Sequence, residues 1–553
     1  MIDQESLPVQ SPVQARALYA AEGLGYMPQL LSLIDQNPLS PTYGCGDRPY
    51  WLYKSTDYSC GMYGEFALPL AQVYVYSLPD NPYHGVEKIR DLSVAVMKFY
   101  AADAHADGSA DDFYPFERAM GATAFTLYAM AEAVQVLSLE DQGILEFLHR
   151  RARWLAATDE AGRLSNHHAL RVLALAMVAR MTNDSELEKT AAKHRDELLS
   201  WQSEEGWFPE YDGFDLGYHS FTFTFLGYLR QLTGDDLLTG PLARAADLTA
   251  DLMGADGSFG GETGSRNSFH FLPHGYELLA PELGSARFAA DRFLAAMSAG
   301  NRGYLEDNRT FCHYQYNFLQ AWRDFADREN CPDWEPAPGI QNYDDAGLIR
   351  IRGGRLHTLI STRKGGIVKA SDRMGAVASD TGIILKDNAG KLAAPAVNGA
   401  DDVKIETSES GATTVRVQTD FAYISNSMSP TPGRFIVFRV LNLTLGRWFP
   451  NLLRGLLLKL LVKPASRLPL GLMRTIKIAD DEIQVTDHIQ SRANGSKFTA
   501  LMASTDLTTL YTASSNPWHP TRRFAWTDHT DRIGELNETG SVEISRTWRR
   551  ENP

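Results

Sequence analysis

The sequence predicts two domains of different class, a helical N-terminal domain built of stacked hairpins and a C-terminal antiparallel β-sandwich. Three observations carry this reading. From about residue 86 to 329 apolar residues recur at helical spacing, a glycine loop repeats within that stretch, and beyond residue 346 polar and apolar residues alternate. The charge divides at the same place. Of 53 Lys and Arg and 68 Asp and Glu, 25 and 49 fall in residues 1–345 (net −24), leaving 28 and 19 in residues 346–553 (net +9), which together give −15.

The helices come first. Ile89, Leu92, Val96 and Phe99 mark one face, and Leu170, Leu173, Leu175, Met177 and Val178 lie in a stretch apolar nearly all round. Before the helices stand the loops ADGSADDFYPFERAM, DEAGRLSNHHALRVL, SEEGWFPEYDGFDLGYHSF, GADGSFGGETGSRNSFHF and GNRGYLEDNRTFCHYQY. Their glycines, Gly108, Gly162, Gly206, Gly257 and Gly303, are spaced by 54, 44, 51 and 46 residues. Such a period accommodates a helix, a turn and a second helix, so the domain reads as a tandem array of hairpins with these loops at one end. The loops hold Phe113, Tyr114, Phe116, Trp207, Phe208, Tyr211, Phe214, Tyr218, Phe259 and Tyr304. Two readings stand: these rings plug the ends of the bundle, or they line a groove that stacks on sugar rings.

Residues 331–345, within DRENCPDWEPAPGIQNYDD, have linker composition and separate domain 1–330 from domain 346–553. The alternating segments GLIRIRGG, RLHTLISTR, TTVRVQTDFAYIS, RFIVFRVLNLTL, MRTIKIADDEIQVTDHIQ and SVEISRTW then predict the strands of the sandwich. One segment is out of character. Residues 445–473 combine leucines with Arg447, Arg454, Lys459, Lys463 and Arg467, suiting either peripheral membrane contact or an insertion packed on its own sandwich.

Composition excludes several classes. With 44% hydrophobic and 22% charged residues the chain is neither disordered, collagen-like nor coiled coil. The acidic balance argues against a nucleic-acid partner. Cys45, Cys60, Cys312 and Cys331 form no CxxC or ligand spacing, so neither a disulfide framework nor a cysteine metal site is expected. His270 and His274 are four apart but straddle Pro273 and lack an evident third ligand, so no metal or other cofactor is expected. No GxxxxGK[ST], GxGxxG or GxSxG motif falls at a strand-to-helix turn, which sets aside kinases, nucleotide oxidoreductases and serine hydrolases. The N-terminus shows no basic-then-apolar leader, so the expected location is cytoplasmic, or periplasmic or secreted if a leader precedes this sequence.

Chemistry gathers at two clusters. Ser165-Asn166-His167-His168 opens the most apolar helix, with Ser165 or Asn166 as its cap or the imidazoles as proton-transfer groups. One repeat later, Tyr211-Asp212-Gly213-Phe214-Asp215-Leu216-Gly217-Tyr218-His219 would be its neighbour in space. An Asn-His pair at a helix start, then a Gly-rich loop ending in Tyr-His, within hairpins followed by a sandwich, resembles the heparinase II/III-like and alginate-lyase-like polysaccharide lyases. That resemblance implies an incomplete (α/α) toroid and β-elimination of a uronic-acid-containing polysaccharide. By it, Asn166 and His167 neutralise the substrate carboxylate and Tyr218 protonates the leaving oxygen, also acting as base for one substrate epimer, with His219 behind it. The family also places a histidine on an early sandwich strand; the candidate is His357, whose setting RLHTLIS lacks the expected carboxylate two residues on. Without a sandwich histidine the base is Tyr218 or His167. Arg118, Tyr114, Trp207, Tyr211, His219 and Arg266 complete the site as substrate-binding candidates.

Two other classes compete. A glycoside hydrolase would need a carboxylate pair, for which Asp111, Asp112, Glu117, Glu210, Asp212, Asp215 and Glu262 are available. A non-catalytic glycan-binding protein of surface-polysaccharide production would need none. The acidic helical half disfavours a densely sulfated polymer unless Arg118, Arg163, Arg266 and Arg302 compensate locally.

Overall fold

A computed structural model describes residues 12–160, 162–211, 213–300, 307–397, 399–409, 411–424, 431–461, 466–492, 497–505 and 526–550. Asp212, Arg302, Gly303, Tyr304 and Lys463 lie outside them.

The helical part comprises α1 (Pro12–Gly25), α2 (Met27–Leu33), α3 (Arg48–Trp51), α4 (Ala67–Val75), α5 (Glu87–Asp103), α6 (Met120–Val136), α7 (Gln142–Ala157), α8 (Ser165–Thr182), α9 (Ser185–Leu199), α10 (Leu216–Thr233), α11 (Thr239–Leu252), α12 (His274–Leu279), α13 (Gly284–Ser298) and α14 (Cys312–Arg323). Helices α6 and α8 are buried nearly all round, as their unbroken apolar sequences require. By contrast α7 buries one stripe, Ile144, Phe147, Leu148, Arg151, Ala152 and Leu155, and exposes Gln142, Glu146, Arg150 and Arg153 on the other side. The inner helices α4, α6, α8, α10, α12 and α14 touch in that order, and α14 packs back on α4. Outside them lie α5, α7, α9, α11, α13 and α1, each against its inner partner. The array thus begins well before residue 86, and its contacts run round without the break that an incomplete ring implies: α1, the first helix described, pairs with α14, the last of the array.

The repeat is real at the level of the backbone. Gly108, Gly162, Gly206 and Gly257 all have left-handed φ, between 77° and 98°. A Cβ on Gly108, Gly206 or Gly257 would strike the backbone of Arg151, Arg244 or Arg292 on an outer helix. Glycine is therefore demanded twice, by the turn and by the close approach.

Fourteen antiparallel strands follow among the described residues, in two sheets. Strands β1 (Gly339–Tyr343), β2 (Leu348–Gly353), β3 (Leu356–Ser361), β4 (Ile367–Asp372) and β5 (Gly375–Asp380) pair in sequence. The first lies inside residues 331–345, read from sequence as linker. It is an exposed edge strand, GIQNY, with no buried face to impose alternation, and prolines and acids flank it. The second sheet holds β6 (Gly382–Asp387), β7 (Leu392–Ala394), β8 (Asp402–Thr407), β9 (Thr413–Tyr423), β10 (Arg467–Ile478), β11 (Glu482–Ser491), β12 (Phe498–Ser504), β13 (Trp526–Asp528) and β14 (Ser541–Arg549). Facing sides of the two sheets share one apolar cluster, with Ile349, Ile360 and Val368 meeting Val415, Ile476 and Val485. Beside it Arg474 is fully buried and paired with Asp380 and Asp487, which also receive Arg546. Helix α17 (Ile533–Thr539) covers the far end of the larger sheet through Ile533 and Leu536.

Alternation on β3 joins the parts. Leu356, Thr358 and Ile360 alternate with His357, Leu359 and Ser361, and the latter three turn to the helices: Leu359 enters the helical core, Ser361 donates to the Thr263 carbonyl and His357 meets the Asp251 carbonyl. Arg350 and Tyr343 bind the Asp251 side chain at 2.8 and 2.6 Å. All four cysteines are buried free thiols.

Segment 445–473 is the end of a π-helical turn, helix α16 (Pro450–Leu461) and the first half of β10. RFIVFRVLNLTL, read from sequence as a strand, folds instead as α15 (Pro432–Leu441) and the π-helical turn, because its apolar residues stand all round an exposed helix and no sheet face buries alternate ones. Together with α16 they form an insertion between β9 and β10. Its ring and ion-pair contacts reach the helical domain: Phe438 packs edge-on against Tyr114, Arg447 lies over Phe116, and Arg439 pairs with Asp57. The first half of β10 lies within its own sheet, where Leu468, Leu470 and Leu472 are buried.

Candidate functional site

Two loops pair to create the site. Leu164 and Glu210 form an isolated antiparallel bridge, Tyr211 N–H donates to the Arg163 carbonyl at 2.9 Å, and Ser165 donates through N–H and hydroxyl to the Pro209 carbonyl. Ser165 and Asn166 thus lie in the first turn of α8, and neither caps it; Leu164 holds the cap position without a side-chain bond. Asn166 is buried and its Nδ2 donates to Glu210 Oε1 at 2.7 Å.

A third loop is tied in by Asp215. As the cap of α10 its Oδ1 accepts from Tyr218 N–H at 3.1 Å, while its Oδ2 accepts from Arg266 N–H at 2.8 Å. One carboxylate therefore fixes both the helix turn bearing Tyr218 and the loop bearing Arg266. That loop is held from the other side by the first sheet: Lys369 pairs with Glu262 at 2.8 Å, and Lys364 donates to Ser265 O and Asn267 Oδ1 at 3.4 and 3.3 Å.

Asn166, His167, Tyr218 and Arg266 consequently converge around Glu210. The Arg266 guanidinium donates to Glu210 Oε1 at 2.9 Å and lies 4.1 Å above the Tyr218 ring and 5.0 Å from that of Tyr211. The His167 Nδ1 meets Glu160 Oε2 at 2.9 Å, and its ring occupies the space left by the absent Cβ of Gly121. His270 stands edge-on to Tyr218 at 5.1 Å and bonds the Tyr314 hydroxyl at 3.1 Å.

Protonation follows from these neighbours. Burial works against a charged His167, but the Glu160 and Glu210 carboxylates outweigh it and hold its pKa above the ordinary value. Burial also raises Glu210, against the pull of Arg266 and Asn166. Tyr218 is pushed up to about 12, chiefly by burial, with Arg266 opposing. His270 is driven down to about 3 by burial, with His313 and Arg266 adding to it, so its imidazole is neutral. Arg266 stays charged although buried, because Tyr218, Glu210 and Asp215 surround it.

Other expected residues lie elsewhere. His357 is buried at the junction of sheet and helices and lowered to about 3 by burial and Arg352; alternation along β3 aims it at the end of α11 rather than at this cluster. His219 is a core histidine, one helical position from Tyr218 but on another face, bonded to the Ala245 carbonyl and lowered to about 4 by burial. His168 faces Arg171 and Trp201. Arg118 pairs with Asp107 on the neighbouring loop, where Tyr114 meets Phe438. Trp207 packs on Phe214 and donates to Glu205 at 3.1 Å, while Tyr211 stands out into solvent beside Arg266. The loop aromatics therefore divide: Phe208, Phe214 and Phe259 plug the bundle, whereas Tyr211 and Phe113 are exposed and Tyr218 half-buried. Sequence reasoning passed over Glu160 and His270 as members of the site and counted Glu210 only among many carboxylates. His270 and His274 do not act together, since His274 pairs with Asp324 at 2.7 Å. Among the described residues no three metal-ligating side chains gather.

A helical domain followed by antiparallel sheets is the fold of known glycan-degrading lyases. The structure of chondroitin AC lyase from Streptomyces coelicolor A3, in complex with chondroitin sulphate, is similar over 99% of this chain and 80% of its own, with a TM-score of 0.56 and 10% identity. A tyrosine-to-alanine mutant of that enzyme gives 0.50 and 10% over 98% and 80%. At this identity the likeness is one of fold. No family model and no curated protein matches the chain.

Proposed function

We propose that the protein is a polysaccharide lyase that cleaves a uronic-acid-containing glycan by β-elimination. The observation that carries the reading is the meeting of Asn166, His167, Tyr218 and Arg266, drawn from three successive loops, around one buried carboxylate. Elimination removes the weakly acidic proton alpha to the uronate carboxylate, so that carboxylate's charge must be offset before the proton leaves. The imidazolium of His167 and the guanidinium of Arg266 supply the offset, with Asn166 as a neutral donor. Tyr218 moves the protons: its phenolate takes the alpha proton and the resulting phenol passes it to the glycosidic oxygen as that bond breaks, leaving a 4,5-unsaturated uronide. Glu210 holds Asn166 and Arg266 in place. His167 is not the base in this scheme, because its carboxylate neighbours raise its pKa and favour the protonated form. Kinship to the heparinase II/III-like lyases belongs to the same proposal and rests on the Asn-His and Tyr-His clusters, within a catalytic toroid of residues 1–330 and a supporting sandwich of residues 346–553.

The test is incubation with a panel of uronate polymers, followed in the ultraviolet for the unsaturated product. Absorbance that grows with wild type and is lost in Tyr218→Phe supports the reading; new reducing ends without absorbance overturn it. That second outcome is the mark of a glycoside hydrolase, which one observation favours: Glu210 is a buried carboxyl with a raised pKa, the state a general acid requires.

A further inference from the structure

The insertion between β9 and β10 is the part of the surface least suited to water. Helix α15 has no buried residue although most of its side chains are apolar. Phe435, Ile436 and Val440 are 59%, 64% and 54% exposed, and beyond the π-helical turn Trp448, Phe449 and Leu452 are 72%, 61% and 62% exposed. An apolar patch of this kind marks an interaction surface. Its charge is equally distinctive. Residues 431–461 carry Arg434, Arg439, Arg447, Arg454 and Lys459 and no Asp or Glu, in a chain whose net charge is −15.

We propose that α15 and α16 dock the protein on an anionic lipid bilayer, lying in the plane of its interface. Aromatic and aliphatic side chains on short helices laced with arginine suit the headgroup and acyl boundary, where rings enter and guanidinium groups reach phosphates. The helices have 10 and 12 residues, about 15 and 18 Å at 1.5 Å per residue, half the thickness of the hydrocarbon core. Among the described residues no helix is long and apolar enough to cross a membrane, so the contact lies on one leaflet. A lipid phase is favoured over a second copy of this chain by the spread of the exposed residues. Phe435, Ile436 and Val437 are consecutive and all exposed, so their side chains leave the helix about 100° apart. A flat protein face would cover one of these directions, whereas lipid closes around them. Phe438 and Arg447 touch Tyr114 and Phe116, so docking brings the loop beside the candidate site to the bilayer.

The experiment is flotation of the full chain with vesicles of phosphatidylcholine alone, or of phosphatidylcholine and phosphatidylglycerol in equal parts, at low and high salt. Wild type is expected to float with the mixed vesicles at low salt and to be released by high salt. Arg434→Gln with Arg447→Gln removes two cations at roughly 1 kcal/mol each, about a 30-fold loss of partitioning. Trp448→Glu with Phe449→Glu should abolish flotation, and Trp448→Phe should retain it while removing a vesicle-induced blue shift of fluorescence. Unchanged melting temperatures confirm that these exposed substitutions leave the fold intact. Wild type that ignores the mixed vesicles, or charge and Glu variants that float as wild type does, overturns the proposal. So does a dimer in light scattering that Phe449→Glu dissociates, since a second copy then occupies the patch.

Discussion

Replacing Tyr218 with phenylalanine separates chemistry from architecture at this site. The ring keeps its contacts, the Arg266 guanidinium at 4.1 Å, Phe221 at 5.5 Å and His270 at 5.1 Å, so folding should be nearly unaffected. What disappears is the proton. A positioned acid or base contributes about 10² to 10⁴ in rate, so kcat should fall by that factor with KM little changed. The pKa adds a second signature. With Tyr218 at about 12, ionising it at pH 8 spans about 4 pKa units, a cost of about 5 kcal/mol in the empty site. A phenolate base therefore gives a wild-type rate that climbs about tenfold per pH unit through the neutral range, until the substrate's own interactions or another group limits it. A Tyr218 that serves only as acid leaves the rate level there. The assay is ultraviolet detection of unsaturated product across pH, with circular dichroism melts of both proteins. Wild-type turnover in Tyr218→Phe would falsify the assignment of proton transfer to this residue.

Three further outcomes are expected. His167 has a raised pKa, so its charge is complete below the ordinary histidine value of about 6.5 and is lost as pH rises through the folded value. On that alkaline side the stabilisation from the Glu160 pair should be lost and the climb in activity set by Tyr218 should level off, and His167→Gln should remove that break in the kcat/KM profile. Asp215→Ala deletes the α10 cap and the anchor of the Arg266 loop, so it should cost about 1–2 kcal/mol in a chemical melt and also lower kcat; a stable, slow enzyme would show that Asp215 only positions, and a fully active one would refute its role. In the sheets, Asp487→Ala leaves Arg474 and Arg546 short of a buried partner, which should destabilise that domain by about 3–5 kcal/mol in a denaturant titration. Burial works against the Asp487 carboxylate, but those arginines hold it below the usual range, so its contribution is complete above pH of about 4 and is lost as acid passes its folded pKa.

Much of the fold was legible because each class of element leaves a periodic trace. The glycine repeat marked the hairpins, and the structure shows the reason in three of them: a left-handed turn pressed against an outer helix has no room for a Cβ. Alternation marked the strands wherever one face was buried. It failed at β1, whose exposed edge imposes no pattern, and at RFIVFRVLNLTL, whose apolar residues belong to the exposed helix α15 and the π-helical turn. Sequence reading also missed the start of the array ahead of α5, where Gly44, with φ of 91° and no room for a Cβ against Ala95 of α5, repeats the device before α4, and α1 joins only by returning to α14 from the far end of the sequence. Ring closure is a long-range contact, and no local pattern encodes it.

The site was legible only as far as the repeat could carry it. Successive loops of a hairpin array must be neighbours, which brings Asn166 and Tyr218 to one cluster although 52 residues separate them. The repeat does not specify orientation, and that is where His219 and His357 misled. His219 follows Tyr218, yet one residue along a helix turns a side chain by about 100°, enough to move an imidazole from the cluster to the α10–α11 contact. His357 lies on a strand, where parity selects its face, and parity directs it to the Asp251 carbonyl. Carboxylates were harder still. The helical half has so many that Glu160 and Glu210 were indistinguishable from solvated ones, and what sets Glu210 apart is its burial between Asn166 and Arg266. Burying a carboxylate is expensive unless it is paired, and doing so beside the exposed Tyr211 serves to hold two donors in fixed directions. It follows that Glu210→Gln should disturb substrate binding more than folding, because the amide keeps the shape but loses the charge that aligns Arg266.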